Sequence, residues 1–515
     1  MLLPLALLGC HGDPNPAPPA DTLAVTEGPT LDAPPPGPVV GGVRTLHVAT
    51  DRPAALSATL TGPEGPRTLA WPAADRHDVP IVGLRPDADY ELAVTLSADG
   101  DDLALTPLPL RGDPLPDGFP DVTVLEAHPD RAAPGATLLG AYSPGGPGAW
   151  VLLFDAAGVP VWWLAVDPFL SVLLPTDDGL VALGADDILA LDWTGAVTRH
   201  LTPNPQDPAD VPLAVPYIHH ELFPLPDGGW LTLGQRAVDV DAYPVSYADP
   251  ETLQPATIAD NLVYELSADG AVRRELSLAE VLDTTRIGFN GLDRALFQLP
   301  GYDWAHANGV VLDPRDGDWI VSVRHQDALV KLTPAGEIRW ILGDPAGWQA
   351  PWAEHLLTQA APFRWPYHAH APELDPDGLV LLFDNGNDGH TPYDPPPAEV
   401  PTSRLVALDV DEDAGTVSLA WSFAPERDGP LSSLALGDCD RLANGDVLGV
   451  WGLLVAEGGA TNLAQGRGLY STRVIEVDPT DDASVLDLRL SSDRAANDVG
   501  WGVYRAERIL LPGAR

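Results

Sequence analysis

The chain has 515 residues, of which 74 are acidic and 28 basic, giving a formal net charge of −46. This charge argues against nucleic acid as a partner, because phosphate backbones are bound by basic stripes and the sequence has none. The 49 glycines, 56 prolines and 45% hydrophobic residues are typical of short strands joined by many turns, so an all-β fold is predicted.

The first ten residues predict a lipoprotein signal peptide. The segment is apolar, and Leu7-Leu8-Gly9-Cys10 resembles the lipobox at which bacterial lipoprotein precursors are cut and the cysteine is acylated. It is too short to span a bilayer as a helix. We predict lipidation of Cys10, a proline-rich tether over residues 11–40, and a cell-envelope location, anchored by lipid and facing the periplasm or the cell surface. A basic segment is missing before this apolar segment, which leaves two explanations: the true start lies further upstream, or the likeness is a chance one.

Residues 41–125 predict a small N-terminal β-sandwich of the fibronectin III or immunoglobulin-like kind. Alternating apolar and polar residues are separated by polar turns, and Tyr90 follows the turn that begins at Leu84. In such sandwiches a tyrosine at this place pins a corner through its hydroxyl group. No ionisable cluster in this module points to chemistry.

An internal repeat occupies residues 126–515 and indicates a β-propeller. Six copies of an apolar strand, a turn and a second strand are found, at residues 151–164, 188–201, 262–276, 329–342, 405–423 and 474–490. Turns such as Asp377-Gly378 and Asn444-Gly445 lead into the other half of each unit. Repeated four-stranded units build propellers whose first strands line a central channel, so six blades are predicted. The rival architectures are an open sandwich and a β-helix.

Two segments depart from the repeat and predict insertions between blades. Residues 277–280 have the spacing of a capping box and predict a short helix. Residues 344–357 predict a second inserted segment. Insertions on one face of a propeller often shape a ligand pocket, so we expect them near the channel mouth.

Three histidines stand at related positions of successive repeats. His220, His306 and His370 each precede or occupy a predicted first strand, so we expect them to converge at one end of the channel, within reach of Arg324. Three imidazoles also suit zinc. A guanidinium is repelled by a cation and matches a tetrahedral oxyanion, so we predict an anion site without metal or cofactor.

The ordered motifs around these residues resemble the bacterial arylsulfate sulfotransferase family. The likeness covers roughly residues 40–512. Its main segments are Asp303-Trp304-x-His306-x-Asn308, Ser322-x-Arg324-His325-Gln326, Ile338-x-Trp340-Ile341-Leu342-Gly343, His370 with Phe383-Asp384-Asn385-Gly386, and Tyr504-Arg505-Ala506-Glu507.

This resemblance implies a six-bladed propeller behind an N-terminal β-sandwich, exported to the periplasm. It implies an enzyme that moves a sulfuryl group from a phenolic sulfate ester to an acceptor phenol without a nucleotide donor. A histidine of the family is transiently sulfated, and His370 occupies its place. His220, His306 and Arg324 match the other active-site positions, while Asn308, His368 and His219 are expected to bind substrate.

The chemistry of these side chains agrees with such a role. A neutral imidazole, with an ordinary pKa of about 6.5, is a competent nucleophile, and a phenol of pKa about 10 is a tolerable leaving group. Arg324 would stabilise the sulfuryl oxygens, and either His306 or His220 would protonate the departing phenol. A sulfated histidine that meets a second phenol gives ping-pong kinetics.

Several alternatives stay open at this level. Either member of the pairs His219/His220 and His368/His370 can face the channel, although the distance to the following turn favours His220 and His370. The expected partners are a small aromatic sulfate donor and a phenolic acceptor, with the lipid anchor as sole membrane contact and a homodimer left open. The competing functions are an aryl sulfate hydrolase and a non-catalytic propeller that binds an anionic ligand or a partner at the envelope.

Overall fold

The computed structural model describes residues 22–33, 39–144, 148–295, 299–399, 401–427, 429–455, 470–492 and 499–514. The predicted signal peptide, Cys10 and about half of the predicted tether lie outside these residues. The tether prediction is wrong for residues 25–32, which form a strand that pairs with residues 45–50 of the N-terminal sheet. Strands dominate the described part, and its one α-helix is a single turn. The all-β class is therefore confirmed.

The N-terminal strands form a six-stranded sheet by hydrogen bonding, in the order β1-β3-β5-β6, with β4 against β3 and β7 against β5. Tyr90 accepts a hydrogen bond from the backbone N–H of Arg85 at 2.8 Å, so the predicted tyrosine corner is present. The strands of this region are β1 (Val25–Asp32), β2 (Val40–Gly41), β3 (Val43–Gly62), β4 (Gly65–Val82), β5 (Asp89–Ala98), β6 (Asp101–Ala104) and β7 (Leu108–Arg111).

The rest of the described chain forms six sheets of four or five strands. The strands that come first along the chain are β8 (Asp121–Ala127), β9 (Ala136–Tyr142), β10 (Ala149–Phe154), β11 (Pro160–Val166), β12 (Val172–Pro175), β13 (Gly179–Leu183), β14 (Ile188–Asp192), β15 (Val197–Thr202), β16 (Val211–Pro212), β17 (His219–Pro224), β18 (Trp230–Pro244), β19 (Leu253–Leu266) and β20 (Val272–Ser277). The remaining strands are β21 (Ala307–Leu312), β22 (Trp319–Val323), β23 (Ala328–Leu332), β24 (Ile338–Gly343), β25 (Thr358–Gln359), β26 (His370–Leu374), β27 (Val380–Asp384), β28 (Arg404–Asp411), β29 (Thr416–Phe423), β30 (Asp438–Arg441), β31 (Val447–Val455), β32 (Tyr470–Asp478), β33 (Ala483–Ser491) and β34 (Gly502–Ile509).

Each sheet has four antiparallel strands at its centre, and the six predicted hairpins supply two of them in every case. In five sheets the four strands are consecutive in sequence: β12–β15, β17–β20, β21–β24, β26–β29 and β30–β33. The sixth combines β9, β10 and β11 with the last strand, β34. Strand β8 extends the β30–β33 sheet by pairing with β33, so the two ends of this region complete each other's sheets.

Each of the six sheets has one edge strand that faces the other sheets, which we call its first strand whatever its place in the sequence. The first strands of neighbouring sheets contact one another in a closed cycle. The contacts run β12–β17, β17–β21, β21–β26, β26–β30, β30–β34 and back from β34 to β12. Outside this cycle, apolar cores fill the space between sheet faces, for example Val311 and Leu329 against Leu382 and Val406. Strands buried on both faces read as continuous apolar runs, which explains the hydrophobic repeats.

The two predicted insertions take different forms. The first contains the short helix α1 (Leu278–Val281), and the Ser277 hydroxyl accepts from the N–H of Glu280 at 3.2 Å, as the capping spacing predicts. The second contains a 3₁₀ turn at Trp352–His355. Another 3₁₀ turn, Arg324–Gln326, joins β22 to β23. Among the described residues, no helix is long and apolar enough to cross a membrane.

Candidate active site

The histidines meet because the first strands of three sheets start at the same end of the cycle. Strand β17 begins at His219, β21 begins directly after His306, and β26 begins at His370. The rings of His220 and His306 have centroids 5.1 Å apart. The ring of Tyr504 lies 5.8 Å from that of His220 and 6.4 Å from that of His370. The sequence-predicted convergence is therefore present in the geometry.

The backbone is strained where these side chains emerge. His220, His306 and His368 have φ angles of 62°, 47° and 53°, in the left-handed region that non-glycine residues rarely adopt. The first strand of each of these sheets also shows a register shift within its first residues. Strain of this kind persists where the surrounding fold imposes it, and it is concentrated at functional sites.

Arg324 is buried beside the histidines without a carboxylate partner. Its side chain contacts the carbonyl of Leu434 through Nη2 at 3.4 Å, and its backbone N–H donates to the carbonyl of His306 at 3.2 Å. Among the described residues, no acidic oxygen lies within 4.0 Å of its guanidinium. Burial lowers the pKa of Arg324 to about 10, while nearby aspartates, Asp303 first, oppose that shift. A buried guanidinium without a counter-ion is a ready anion site.

His370 has a defined tautomer. The amide of Asn385 donates through Nδ2 to the carbonyls of Ser433 at 3.1 Å and Leu436 at 3.0 Å, so its Oδ1 faces Nδ1 of His370 as an acceptor at 2.7 Å. Nδ1 therefore carries the proton. Nε2 accepts from the backbone N–H of Leu436 at 3.3 Å.

The same surroundings keep the His370 ring neutral. Burial, followed by the charge of Arg324, holds the pKa of His370 well below its ordinary value. A neutral ring with the proton fixed on Nδ1 keeps a lone pair on Nε2. Attack on an electrophile requires Nε2 to give up its long, 3.3 Å hydrogen bond from the N–H of Leu436.

Both close pairs, His219/His220 and His368/His370, place their rings in the cluster. His219 is 3% exposed, packs on Tyr217, and places its Nδ1 2.6 Å from Nδ1 of His220. His368 is fully buried, with Asp327 Oδ1 3.1 Å from its Nδ1 and the carbonyl of Phe289 3.3 Å from its Nε2. All four rings are thus held by protein groups, and those of His220 and His370 also lie against Tyr504.

Asn308 is fully buried between neighbouring strands. Its Nδ2 donates to the carbonyl of Ala369 at 2.8 Å, and its own carbonyl accepts from the hydroxyl of Tyr504 at 3.0 Å. It thereby ties the strand after His306 to the residue before His370. All seven predicted active-site residues thus lie in one cluster; the predicted lipidation site, Cys10, is outside the described residues.

Four further residues belong to this cluster and were given no role from the sequence. They are Asp303, whose carboxylate bonds His306; His325, whose ring stacks on His306; Asn385, which orients His370; and Tyr504, which underlies His220 and His370. All four stand inside segments of the family-like motifs. For Asp303 and His325, the available signal in the sequence was their position three or fewer residues from a predicted site residue. Asn385 and Tyr504 had no such signal.

Two groups of side chains in the described ranges bring three ligand atoms within 4.8 Å of one another. In the first, Nδ1 of His306 bonds the Asp303 carboxylate and Nδ1 of His325 bonds the Asp303 carbonyl, both at 2.6 Å. In the second, the Lys331 amine lies among the carboxylates of residues 313, 316 and 412. Internal partners therefore account for both groups.

A cavity of about 500 Å³ lies further along the same first strands. Its lining includes the carboxyl groups of Glu373, Asp438, Asp440 and Glu507. Burial is the main cause that raises the pKa of Glu373 and Glu507 to about 8 and that of Asp438 to about 6. Arg505, which also lines this cavity, is paired with Glu221 through two bonds of 2.8 and 2.6 Å.

These carboxyl groups predict a pH-dependent stability. A carboxyl whose pKa is raised on folding favours the protonated form in the folded state, so its stabilising effect is full below 4.5 and is lost as pH rises through about 8. We expect the Glu507→Gln variant to match the wild type in thermal midpoint at pH 4.5 and to exceed it at pH 8.5. An equal difference between the two proteins at both pH values would contradict this.

Comparison with known proteins agrees with the geometry of the cluster. The family model for arylsulfotransferase (ASST) matches residues 147–505. The arylsulfate sulfotransferase AssT of Escherichia coli O6:H1 (strain CFT073) is 31% identical over 163 residues, which are 28% of this chain and 27% of that protein. The AssT of Lelliottia amnigena is 31% identical over 142 residues, 24% of this chain and 23% of that protein. The matched segments thus span about a quarter of these curated relatives.

Solved structures show only a distant likeness. A luciferin-regenerating enzyme aligns with a TM-score of 0.32 and 11% identity, covering 77% of this chain and 99% of the other.

The family match extends over well over half of the sequence and includes every histidine of the cluster. The chain belongs to the arylsulfotransferase family.

Proposed function

We propose that the protein transfers a sulfuryl group from an aryl sulfate to an acceptor phenol. The observation that carries this proposal is the buried Arg324 guanidinium, which has no acidic partner in the described ranges and whose charge lowers the pKa of the neutral His370 ring. A sulfate ester brings the negative charge that Arg324 lacks and an electrophilic sulfur for Nε2 of His370. The names of the curated relatives support the same substrate class.

The proposed fold is a six-bladed β-propeller preceded by a small sandwich. Six sheets with four antiparallel strands, first strands in a closed cycle, and apolar cores between neighbouring faces support it. The shared sheet of β9 and β34 would fasten the ring. In this arrangement the cluster and the acidic cavity occupy successive levels of one channel.

The proposed mechanism has two half-reactions. Nε2 of His370 attacks sulfur, the nitrogen–sulfur bond forms, and the aryl oxygen departs with the bonding electrons and takes up a proton. Asn385 keeps the proton on Nδ1 of His370 throughout, so the ring is not forced to lose it during attack. An acceptor phenol then loses its proton, attacks the same sulfur and returns the electron pair to Nε2.

Product analysis tests this proposal. Purified protein given an aryl sulfate and a second phenol is expected to release the first phenol and sulfate the second. Given donor alone, it is expected to carry a sulfo group on a peptide containing residues 368–370. Release of inorganic sulfate at the same rate with and without acceptor would instead identify a hydrolase, and binding of aryl sulfate without turnover would identify a non-catalytic binding protein.

The lipid anchor at Cys10 stays a prediction and rests on the lipobox-like sequence. A cell-envelope location follows from it. If radioactive palmitate labels a Cys10→Ser variant as strongly as the wild type, this part of the proposal is wrong.

A further inference from the structure

The two histidines that can serve as proton donor differ in what holds them. His306 and His220 are neighbours in the cluster, with ring centroids 5.1 Å apart. His306 is bonded to a carboxylate, and His220 is bonded to another imidazole. These partners decide which ring carries a transferable proton.

The carboxylate of Asp303 lies on the far side of the His306 ring from its Nε2. Oδ2 of Asp303 is 2.6 Å from Nδ1 of His306, and the two side chains are 3% and 10% exposed. Within the described part of the chain, His306 is the sole basic side chain within ion-pair distance of this carboxylate. Burying an ionised carboxylate without a partner is costly, and Nδ1–H of His306 is placed to be that partner.

The segment before β21 fixes the orientation of this pair. The N–H of Asp303 donates to the carbonyl of Asp293 at 3.0 Å, and the indole N–H of Trp304 donates to the carbonyl of Arg286 at 3.0 Å. Trp304 is fully buried, which anchors the turn in the core. The left-handed backbone of His306 then folds its ring back over Asp303, three residues earlier.

A second histidine supports the His306 ring from one face. The rings of His325 and His306 stack with centroids 4.5 Å apart and an interplanar angle of 28°. Nδ1 of His325 donates to the carbonyl of Asp303 at 2.6 Å, and burial, followed by the charge of His306, holds the pKa of His325 well below its ordinary value. His325 is therefore a neutral platform, and His306 is fixed both in plane and in tautomer.

His220 is held differently. Its Nδ1 lies 2.6 Å from Nδ1 of His219, so the partner on this side of the ring is an imidazole, whereas Nδ1 of His306 faces a carboxylate. Burial, followed by the charge of His219, holds the pKa of His220 well below its ordinary value. A negative charge directly behind the ring therefore distinguishes His306 from His220.

We propose that Asp303 is a positioning residue that makes His306 the acid and base of both half-reactions. This inference rests on the proposed function. In the first half-reaction the proton on Nε2 of His306 moves to the departing aryl oxygen as the sulfur–oxygen bond breaks. In the second, Nε2 of His306 takes the proton of the acceptor phenol as its oxygen attacks sulfur and the nitrogen–sulfur bond breaks. The proton count is restored after each turnover, and Asp303 keeps its charge throughout.

A series of aryl sulfates with different leaving phenols tests the assignment. Protonation matters most for a poor leaving group, so Asp303→Asn is expected to slow transfer from phenyl sulfate by about 10²–10⁴-fold. With 4-nitrophenyl sulfate, whose phenol leaves readily without a proton, the same variant should lose much less. A merely structural role would slow all donors by a similar factor, and that result would overturn the proposal.

Matched variants separate this inference from the proposed function. Asp327→Asn changes another buried aspartate, which bonds His368 and not His306, and its loss should be independent of the leaving phenol. Asp303→Glu retains a carboxylate and should recover part of the activity with phenyl sulfate, and it serves if the asparagine variant does not fold. If wild-type protein transfers no sulfuryl group from any donor, the proposed function fails. If it transfers while the Asp303 variants show no leaving-group dependence, the positioning role alone fails.

Discussion

Replacement of His370 by asparagine is expected to lower the rate of sulfuryl transfer by roughly 10⁴–10⁶-fold, the scale seen when an enzyme loses its nucleophile. Two features of this ring are the reason. Among the described residues, His370 is the only imidazole whose Nδ1 proton is fixed by an amide and whose pKa is also lowered by the charge of Arg324. Asparagine is short and polar, so the buried site keeps a hydrogen-bonding group near Asn385. Initial rates with a chromogenic aryl sulfate and an acceptor phenol measure the effect.

His368→Asn is the matched control for this experiment. His368 lies two residues earlier, is also fully buried, and is held by Asp327 and the carbonyl of Phe289. Its loss should weaken turnover while leaving the sulfo group on His370 detectable after exposure to donor alone. A sulfo group that persists in the His370 variant and vanishes in the His368 variant would reverse the roles of the two histidines.

The sequence was sufficient to predict six hairpins, one in each of the six sheets. Apolar hairpins recur because neighbouring sheets pack face to face, and Asp-Gly or Asn-Gly turns mark the step from first to second strand. The same periodicity placed His220, His306 and His370 at the start of first strands. Their convergence followed from the repeat, since equivalent positions of neighbouring sheets lie at the same end.

The sequence was not sufficient to assign partners within the cluster. Which imidazole bonds a carboxylate and which bonds another imidazole depends on left-handed backbone at His220 and His306, which no composition or period encodes. Asn385 likewise acquires its role through the carbonyls of Ser433 and Leu436, in the segment that leads into β30 of the neighbouring sheet. Contacts of this range arise from the closed cycle of first strands and not from spacing along the chain.

The acidic cavity was missed for a related reason. Glu373, Asp438 and Glu507 belong to three different first strands and are far apart in sequence, so each reads as one more acidic residue in a very acidic chain. The structure brings them together in one cavity, where partial or full burial raises their pKa values. In so acidic a chain, the few carboxyl groups with raised pKa values cannot be recognised from the sequence.

The single lysine of the chain holds two sheets together, and its loss should give the largest change in stability. Lys331 of β23 is 1% exposed, and its amine lies 2.7, 2.6 and 2.7 Å from carboxylate oxygens of Asp313, Asp316 and Glu412. Glu412 follows β28 in the neighbouring sheet. The three carboxylates raise the pKa of Lys331 to about 12 against the effect of burial. The ammonium group is therefore the centre of a network that contains more negative than positive charge.

Lys331→Met is expected to lower the free energy of unfolding by about 1.5–3 kcal/mol, because it removes the charged hydrogen bonds of the amine and leaves the fully buried Asp313 carboxylate with Arg315 alone, while keeping most of the side-chain volume. Urea unfolding at pH 7 measures the loss. The matched control is Arg274→Met, which removes a 2.9 Å bond to Glu265 from a side chain that is 56% exposed and should change stability by less than about 1 kcal/mol. Because Arg315 and, after it, Lys331 hold the pKa of Asp313 below its ordinary value, the destabilisation should shrink as pH falls and the carboxylates take up protons. A loss at Lys331 no larger than that at Arg274, or one unaffected by acid, would show that packing and not charge holds these two sheets together.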